Sequence, residues 1–310
     1  MQVHYGLDKI PLIQKPVVTS GTFDGVHLGH KTILDRLKEV AEECGGETVV
    51  LTYWPHPRYV LGQKSKNELK LLSSLDEKVN LLAAYGINHL VILPFTKEFS
   101  QQSSKQFIDN IIRRGLKTFK LVIGYDHKFG RNREGSFDYL LEHQSELGFA
   151  IEEIPRADVD HVGISSTKIR EALENGDVAD AYKFLGDYYP LTGKVVMGDQ
   201  LGRKIGFPTA NIKIDETHKL VPSDGVYAVY VVINDVHHQG MLNIGVRPTV
   251  DGLKRTIEVH IFDFSEQIYG DNIEVRFIDR VREEQKFASV TELQQQLVVD
   301  KKNVIRLINS

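Results

Sequence analysis

Two histidines in a glycine-rich segment are the first residues whose spacing suggests chemistry. His27 and His30 are three residues apart, so they lie on neighbouring faces of the first turn if a helix begins here. An apolar run that predicts a β-strand precedes the segment, which reads SGTFDGVHLGH from Ser20. A helix after a strand presents free backbone N–H groups and a partial positive charge to an anion. The pattern therefore predicts a phosphate site in which both imidazoles donate hydrogen bonds to one polyphosphate.

A second candidate phosphate contact opens another predicted helix, in the run ISSTKIR from Ile164. Ser165 or Ser166 suits the N-cap, and the hydroxyls with Arg170 would hold phosphates from the opposite side. On its own, Ser-Ser-Thr indicates a helix cap rather than a site. The His-x-Gly-His run and the later Ser-Ser-Thr-x-x-Arg run, in this order, are similar to motifs of the nucleotidyltransferase superfamily. That resemblance favours the functional interpretation.

Two aromatic stretches, Thr52–Pro57 and Gly124–Gly130, follow the second and fourth predicted strands. Both would lie at carboxyl ends of strands, where α/β sheets bind ligands. Their rings could stack on a flat ring system, although loop packing explains them equally well.

The run from Gly198 to Asn211 suggests a second phosphate site. Its three glycines and the adjacent Arg203 and Lys204 suit a flexible, cationic flap over phosphates. Thr209 and Asn211 are two residues apart at a strand start, so their side chains share one face. A hydroxyl and an amide oxygen suit Mg²⁺. A polar loop that leads into a strand accounts for these residues comparably well.

Glu258 interrupts an apolar alternation in the run TIEVHIF from Thr256. Ile257, Val259 and Ile261 face one side, whereas Glu258 shares the other face with His260 and Phe262. If that face is outside a barrel, Glu258 forms a surface ion pair. If it lines a pocket, the carboxylate could take a proton from a hydroxyl nucleophile. Both interpretations stay open at this point.

Two different patterns of elements must position these residues. Up to about residue 185, apolar runs alternate with helical stretches, which predicts a parallel sheet covered by helices on both faces. The predicted strands are Pro16–Gly21, Thr48–Tyr53, His89–Pro94, Phe119–Gly124 and Ala150–Ile154. The predicted helices are Lys31–Cys44, Asp76–Tyr85, Ser104–Arg114 and Phe137–Leu147.

Successive strands replace this alternation beyond Gly186 and predict an antiparallel barrel or sandwich, closed by a helix at Thr291–Leu307. We place the domain boundary between residues 186 and 187. The predicted strands are Leu191–Met197, Thr209–Ile214, Val226–Ile233, Gln239–Ile244, Thr256–Phe264 and Asn272–Arg282.

Bulk properties agree with a two-domain enzyme. The 310 residues exceed a typical single core, and the net charge of −4 argues weakly against a dedicated nucleic-acid binder. Cys44 is the only cysteine, so no intramolecular disulfide can form. The N-terminus lacks a signal-peptide core, and no apolar run is long enough to span a bilayer. We therefore expect a cytoplasmic protein.

Together these motifs resemble one family, the prokaryotic bifunctional riboflavin kinase/FMN adenylyltransferases (FAD synthetases). The resemblance covers nearly the whole chain, and Phe-Pro-Thr-Ala-Asn with the later Glu-Val-His is specific to the riboflavin kinase module. Tyr53-Trp54 departs from the family, which has Phe and often an acidic residue there. The matching runs are Gly21–His30, Pro55–Pro57, Gly124–Gly130, Ser165–Arg170, Gly206–Asn211, Asn243–Thr249 and Glu258–Phe264.

The resemblance implies a Rossmann-like FMN adenylyltransferase domain and a six-stranded β-barrel riboflavin kinase domain. It implies ATP, riboflavin and FMN as substrates, Mg²⁺ without a prosthetic group, and neither a nucleic-acid nor a membrane partner; the oligomeric state stays open. The implied catalytic residues are Glu258, His27, His30 and Arg170. In the first domain the implied ATP contacts are Gly21, Thr22, Phe23, Asp24, Gly25, His27, His30, Ser165, Ser166, Thr167 and Arg170. The implied flavin contacts are Pro55, His56, Asp126 and Phe129. In the kinase domain the implied ATP contacts are Gly198, Gly202, Arg203, Lys204, Gly206, Thr209 and Asn211, the last two also holding Mg²⁺.

Two other functions stay open at this level. The chain could be a single-activity adenylyltransferase whose β domain only binds a ligand, although such a domain need not keep Thr209, Asn211 and Glu258 together. It could also be a flavin- or RNA-responsive binding protein built on a retired enzyme. The near-neutral charge and the intact histidine pair count against that third possibility.

Overall fold

A computed structural model describes residues 1–62, 69–154, 163–198, 201–249 and 252–309. The chain forms two compact units, residues 1–165 and 166–310. Within the described ranges, no helix is both long and apolar enough to cross a membrane.

The first unit is built on a sheet of six parallel strands in the order β1-β4-β3-β2-β5-β6. The five predicted strands are confirmed. A sixth, β1, was not predicted; it pairs with β4 at the sheet edge. The strands are β1 Gln2–Tyr5, β2 Val17–Ser20, β3 Thr48–Trp54, β4 His89–Pro94, β5 Lys120–Gly124 and β6 Ala150–Ile154.

The helices of this unit follow the strands. The predicted helix at Ser104–Arg114 is α-helical only to Phe107 and continues as a π-helix, Ile108–Gly115, which places Ile108, Ile111 and Ile112 in the core. A 3₁₀ turn spans Arg131–Arg133. The α-helices are α1 Leu28–Cys44, α2 Pro57–Val60, α3 Leu75–Ala84, α4 Lys97–Ser100, α5 Ser104–Phe107, α6 Phe137–Glu142 and α7 Gln144–Leu147.

Alternation along the strands produces two cores, one on each face of the sheet. Val17 and Val50 pack with Leu34 and Leu37 of α1 on one face. Val18, Val49 and Leu51 pack on the other face with the π-helix and α6. Helices therefore cover both faces, as predicted, and the sheet's carboxyl edge is left to its loops.

The second unit is a closed antiparallel barrel in the order β10-β11-β8-β7-β12-β9, which decides between the predicted barrel and sandwich. The strands are β7 Tyr189–Val196, β8 Ala210–Lys213, β9 Gly225–Ile233, β10 Val236–Thr249, β11 Gly252–Ile261 and β12 Asn272–Arg282.

Four helices accompany the barrel in the described part of the second unit. The predicted C-terminal helix is confirmed as α11, which packs against β9, β10 and β12 and buries Val304. Two helices before the barrel, α8 and α9, pack on each other, and α9 also contacts β7 and β12. The helices are α8 Ser166–Asn175, α9 Val178–Leu185, α10 Leu201–Lys204 and α11 Val290–Ile308.

Candidate active sites

The loop between β2 and α1 has an unusual backbone. Phe23, Gly25 and Val26 have φ of 46°, 83° and 41°, a left-handed region that is costly for a β-branched residue. Asp24, which is buried, holds this shape, because its Oδ1 accepts hydrogen bonds from the backbone N–H groups of Leu72 and Ser73 at 2.9 and 3.1 Å. The Ser73 hydroxyl in turn accepts from the Gly25 N–H at 3.1 Å. Strain held this firmly is typical of a functional loop.

The two histidines lie together with their rings stacked, an arrangement that was not predicted. Their ring centroids are 3.7 Å apart with planes 13° from parallel. His27 is the N-cap of α1, and its Nδ1 accepts from the His30 backbone N–H at 3.3 Å. The His30 ring lies 5.0 Å from the ring of Phe23, and its Nδ1 is buried with no hydrogen-bond partner among the described residues. Such a polar atom is one that a bound group would satisfy.

Burial holds the pKa of His30 well below its ordinary value, and the neighbouring His27 and Lys78 lower it further. His30 is therefore a neutral imidazole near pH 7. In that state it can donate or accept a hydrogen bond toward a phosphate, but it brings no positive charge.

The predicted Ser-Ser-Thr helix begins at Ser166, which places Ser166, Thr167 and Arg170 in α8 of the second unit. Ser165 is the last residue of the first unit. Within the first unit, a Cβ on Gly29 would lie 4.0 Å from the carbonyl oxygen of Ile164. The start of this motif therefore runs beside the first turn of α1, whereas the contacts predicted for its remaining residues stay predictions.

The predicted flavin contacts have different surroundings. Pro55 and Asp126 are exposed, and buried His56 is the N-cap of α2, with its Nδ1 accepting from the Arg58 N–H at 3.2 Å. Phe129 is in the hydrophobic core, 5.5 Å from the ring of Phe107. Flavin contacts for all four remain predictions.

A polar network that was not predicted joins three strand ends at the carboxyl edge. The hydroxyl of Ser20, the last residue of β2, lies 3.0 Å from Nε2 of His127, beyond β5. The Ser20 hydroxyl also interacts with Tyr53 on β3, a phenol whose pKa burial raises and this interaction lowers. Burial, with a smaller contribution from Arg133, lowers the pKa of His127 to about 4, so its ring is neutral. Ser20 therefore connects the two aromatic stretches, Thr52–Pro57 and Gly124–Gly130, at the carboxyl edge of the sheet.

The second candidate site lies in the barrel. The Thr209 hydroxyl is 3.4 Å from Oε2 of Glu258, and Asn211 is directly opposite Glu258 in the β8–β11 ladder. Paired residues point to the same face, so a carboxylate, a hydroxyl and an amide come together. A Cβ on Gly202 would collide with the backbone carbonyl of Phe207, so this position requires glycine, whereas a Cβ on Gly198 would displace the side-chain amide of Asn211.

Glu258 faces a pocket rather than solvent. A cavity of about 210 Å³ lies between the barrel and α11, and Glu258 in its wall is only 9% exposed. The wall also includes Phe207, Thr209, His260, Arg282, Leu293 and Leu297. Of the two interpretations that the alternation left open, the buried pocket is the one observed.

Two residues of this pocket were not singled out from the sequence. His260 Nδ1 lies 2.7 Å from the Pro208 carbonyl oxygen, which holds the strand start that carries Thr209. Burial lowers the pKa of His260, so a neutral ring donates this bond. Arg282 forms hydrogen bonds at 2.8 to 3.1 Å with Asp300 of α11, a fully buried carboxylate, and so ties the helix to the barrel.

The predicted cationic flap is partly helical. Arg203 and Lys204 are exposed at the end of α10, and Gly206 has φ of 82°. Asp199 and Gln200 lie outside the described residues.

The oxygen ligands of the barrel site fit Mg²⁺ chemically. Thr209, Asn211 and Glu258 offer a hydroxyl, an amide oxygen and a carboxylate, the hard ligands that this ion prefers beside phosphates. Among the described residues no group of three or more His, Cys, Asp or Glu side chains could hold a metal. The residues present therefore fit an ion that is held partly by a substrate's phosphates.

An α/β unit with a His-x-Gly-His turn, followed by a barrel with a carboxylate in its pocket, defines a two-domain enzyme of the nucleotide-using class. Comparison with known families gives the particular one. The FAD synthetase family model matches residues 10–168, and the riboflavin kinase family model matches residues 185–308. The chain belongs to the family of bifunctional riboflavin kinase/FMN adenylyltransferases.

Relatives of that name match over almost the full length. The Haemophilus influenzae protein is 39% identical over 96% of both chains. The Bacillus subtilis protein is 38% identical over 96% of this chain and 93% of its own, and the Escherichia coli K12 protein is 36% identical over 92% and 90%. The sequence-based identification of the family is confirmed.

A solved structure shares the whole fold. It is titled a macrolide-efflux protein from Streptococcus pneumoniae, is 30% identical and covers 97% of both chains with a TM-score of 0.87. That name describes the other protein and is not carried over to this chain.

The domain boundary remains a prediction. The family models leave residues 169–184 between them, whereas the compact units divide after Ser165 because α8 packs on α9 and α9 packs on the barrel. The predicted boundary after Gly186 follows α9.

Proposed function

We propose that this chain phosphorylates riboflavin to FMN in the barrel pocket and transfers an adenylyl group from ATP to FMN in the first unit, giving FAD and pyrophosphate. The observation that carries the proposal is the meeting of Glu258, Thr209 and Asn211 in one pocket of a chain whose other unit holds the stacked histidine pair. Family membership supplies the flavin.

In the barrel, Glu258 accepts the proton of the ribityl hydroxyl as that oxygen attacks the γ-phosphate of ATP. Thr209 hydrogen-bonds the carboxylate and orients it. His260, through the Pro208 carbonyl, fixes the strand start that carries Thr209. Thr209 and Asn211 would hold Mg²⁺, which when bound neutralises phosphate charge.

In the first unit, the phosphate of FMN attacks the α-phosphate of ATP, and pyrophosphate leaves. This nucleophile is already ionised, so no protein base is needed. His27 and His30 act as neutral hydrogen-bond donors to phosphate oxygens, beside the free N–H groups of α1. Ser166 and Arg170 are proposed to add a second set of donors.

One incubation tests this function against the single-activity alternative. The protein is mixed with riboflavin, ATP and Mg²⁺, and the products are separated by chromatography. We expect FMN and then FAD. FAD formed from FMN but not from riboflavin would support an adenylyltransferase with an inert barrel, and no product from either flavin would support a binding protein.

We propose that ATP, riboflavin and FMN are the only ligands of this chain besides Mg²⁺, without a nucleic-acid or membrane partner, and that it acts in the cytoplasm, where ATP is available.

A further inference from the structure

The first candidate site contains a buried lysine that the mechanism above does not use. Lys78 lies in the first turn of α3 and is 2% exposed. No described carboxylate lies within 4.0 Å of its amine, which faces the ring of Trp54 with 5.6 Å between Nζ and the ring centroid. A buried ammonium without an ion-pair partner is costly, so its retention needs a reason.

The surroundings of Lys78 oppose its charge from several sides. The N-terminus of α3 carries a partial positive charge, which repels a cation in its first turn. Asp24, whose negative charge favours the protonated amine, is also engaged by two backbone N–H groups and Ser73. Glu77 on the same helix is engaged in a capping box with Ser74. Lys78 also acts on His30, whose pKa it lowers and whose ring is stacked on that of His27.

The histidines and Lys78 of the first site differ in charge near pH 7. His30 is neutral, partly because Lys78 is near it, and His27 accepts a hydrogen bond at Nδ1, which an imidazolium cannot do. Burial lowers the pKa of Lys78 to about 8, and Asp24 opposes that shift, so the amine is mostly protonated at pH 7. A polyphosphate bound at the N-terminus of α1 would add further negative charge to the partial compensation that Asp24 provides.

We propose that Lys78, rather than the histidine pair, supplies the cationic charge that binds the polyphosphate of ATP in the first unit. This inference rests on the proposed adenylyl transfer in that unit. The two sets of groups then have different roles. The imidazoles and backbone amides align phosphate oxygens through neutral hydrogen bonds, and the buried ammonium contributes the electrostatic attraction.

The test is the kinetics of FAD formation from FMN and ATP in the full chain. Lys78→Met keeps the bulk and removes the charge, and we expect the KM for ATP to rise about 10- to 100-fold, the value of a lost charge-assisted contact. Lys78→Arg should restore most of the affinity. Lys38→Met is the matched control, because Lys38 also packs over a ring, that of Tyr85 at 4.6 Å, but on the outer side of α1.

The pH profile provides a second measurement, which does not depend on a buried substitution being tolerated. A lysine with a lowered pKa is charged below that pKa and neutral above it. In the wild-type chain, kcat/KM for ATP should therefore fall about tenfold between pH 7 and pH 9, with an inflection near pH 8. In Lys78→Arg the inflection should be absent.

Riboflavin phosphorylation by the same preparations reports on the barrel, and cooperative chemical denaturation followed by the fluorescence of Trp54, the only tryptophan, shows whether the first unit of each variant is folded. A wild-type chain that forms no FAD would overturn the proposed function itself. If it forms FAD, an unchanged KM in Lys78→Met, or a wild-type inflection retained in Lys78→Arg, would overturn the role of Lys78 alone. If Lys78→Met does not fold, the Lys78→Arg variant and the wild-type pH profile decide the role of Lys78 instead.

Discussion

The two proposed phosphate sites are built from different parts of the protein. In the first unit the main features are a left-handed loop, a helix N-terminus, two neutral rings and one buried amine. In the barrel they are a carboxylate, a hydroxyl and an amide on neighbouring strands. Asp24, the carboxylate of the first site, is engaged by backbone N–H groups, whereas Glu258 of the second lines a pocket.

This difference follows the nucleophile that each reaction uses. A ribityl hydroxyl must lose a proton, so its site needs a base, and Glu258 is placed to be one. The phosphate of FMN is already ionised, so its site needs only alignment and charge. Removing one feature at a time and measuring both activities on the same chain tests whether the two sites work separately.

The largest effect is expected at the base. Glu258→Gln keeps the shape and removes proton acceptance, so riboflavin phosphorylation should fall roughly 10²–10⁴-fold. FAD formation from added FMN should stay near the wild-type rate, because that reaction needs no base. Loss of both activities in a chain that still melts cooperatively would show that the sites are not separate.

The histidine pair gives the reciprocal experiment. His27→Ala or His30→Ala removes a preorganised donor, and FAD formation should fall roughly 10²–10³-fold while riboflavin phosphorylation survives. Since burial keeps His30 neutral, its loss should be equally severe at pH 6 and pH 8. A double variant that makes FAD normally would leave both rings with a packing role only.

A smaller effect is expected at the proposed metal ligands. Thr209→Val is nearly isosteric and deletes the hydroxyl, and Asn211→Leu deletes the amide oxygen. Each should raise the Mg²⁺ concentration needed for half-maximal phosphorylation by roughly tenfold, without affecting FAD formation from FMN in the same titration. Two unchanged titration curves would mean that phosphates and water alone hold the ion.

Periodicity predicted the regular elements well, because buried faces impose a period of 2 or 3.6. The strand β1 was missed because QVHY is polar and partly exposed at the sheet edge. The π-helix was missed because IDNIIRRG also suits an α-helix, and only packing selects between them.

The sites were predicted less completely, for a physical reason. Glu258 could be assigned to a face, but only the cavity under Leu293 and Leu297 shows that this face is inward. Asp24 contacts residues 48 and 49 positions away, so no local pattern pointed to Ser73 or Lys78. Ser20, Tyr53 and His127 likewise meet only because three strands end together.

That last network supports the smallest prediction, which concerns stability more than chemistry. Ser20→Ala leaves Nε2 of His127 and the phenol of Tyr53 each without their shared partner. A half-satisfied buried network is destabilising, so the free energy of unfolding of the first unit should fall by about 1–3 kcal/mol. FAD formation should change only a few-fold, and phosphorylation in the barrel not at all.

The matched control replaces all the partners together. In a chain carrying Ser20→Ala, Tyr53→Phe and His127→Phe, no polar group of the network remains to be satisfied. Apolar replacement of every partner is nearly neutral when shapes are kept, so this triple variant should be more stable than Ser20→Ala alone. Chemical denaturation followed by the fluorescence of Trp54, the only tryptophan, reports on the first unit directly. A triple variant no more stable than the single one would mean that Ser20 stabilises the strand ends through packing, because restoring hydrogen-bond balance would then have recovered nothing.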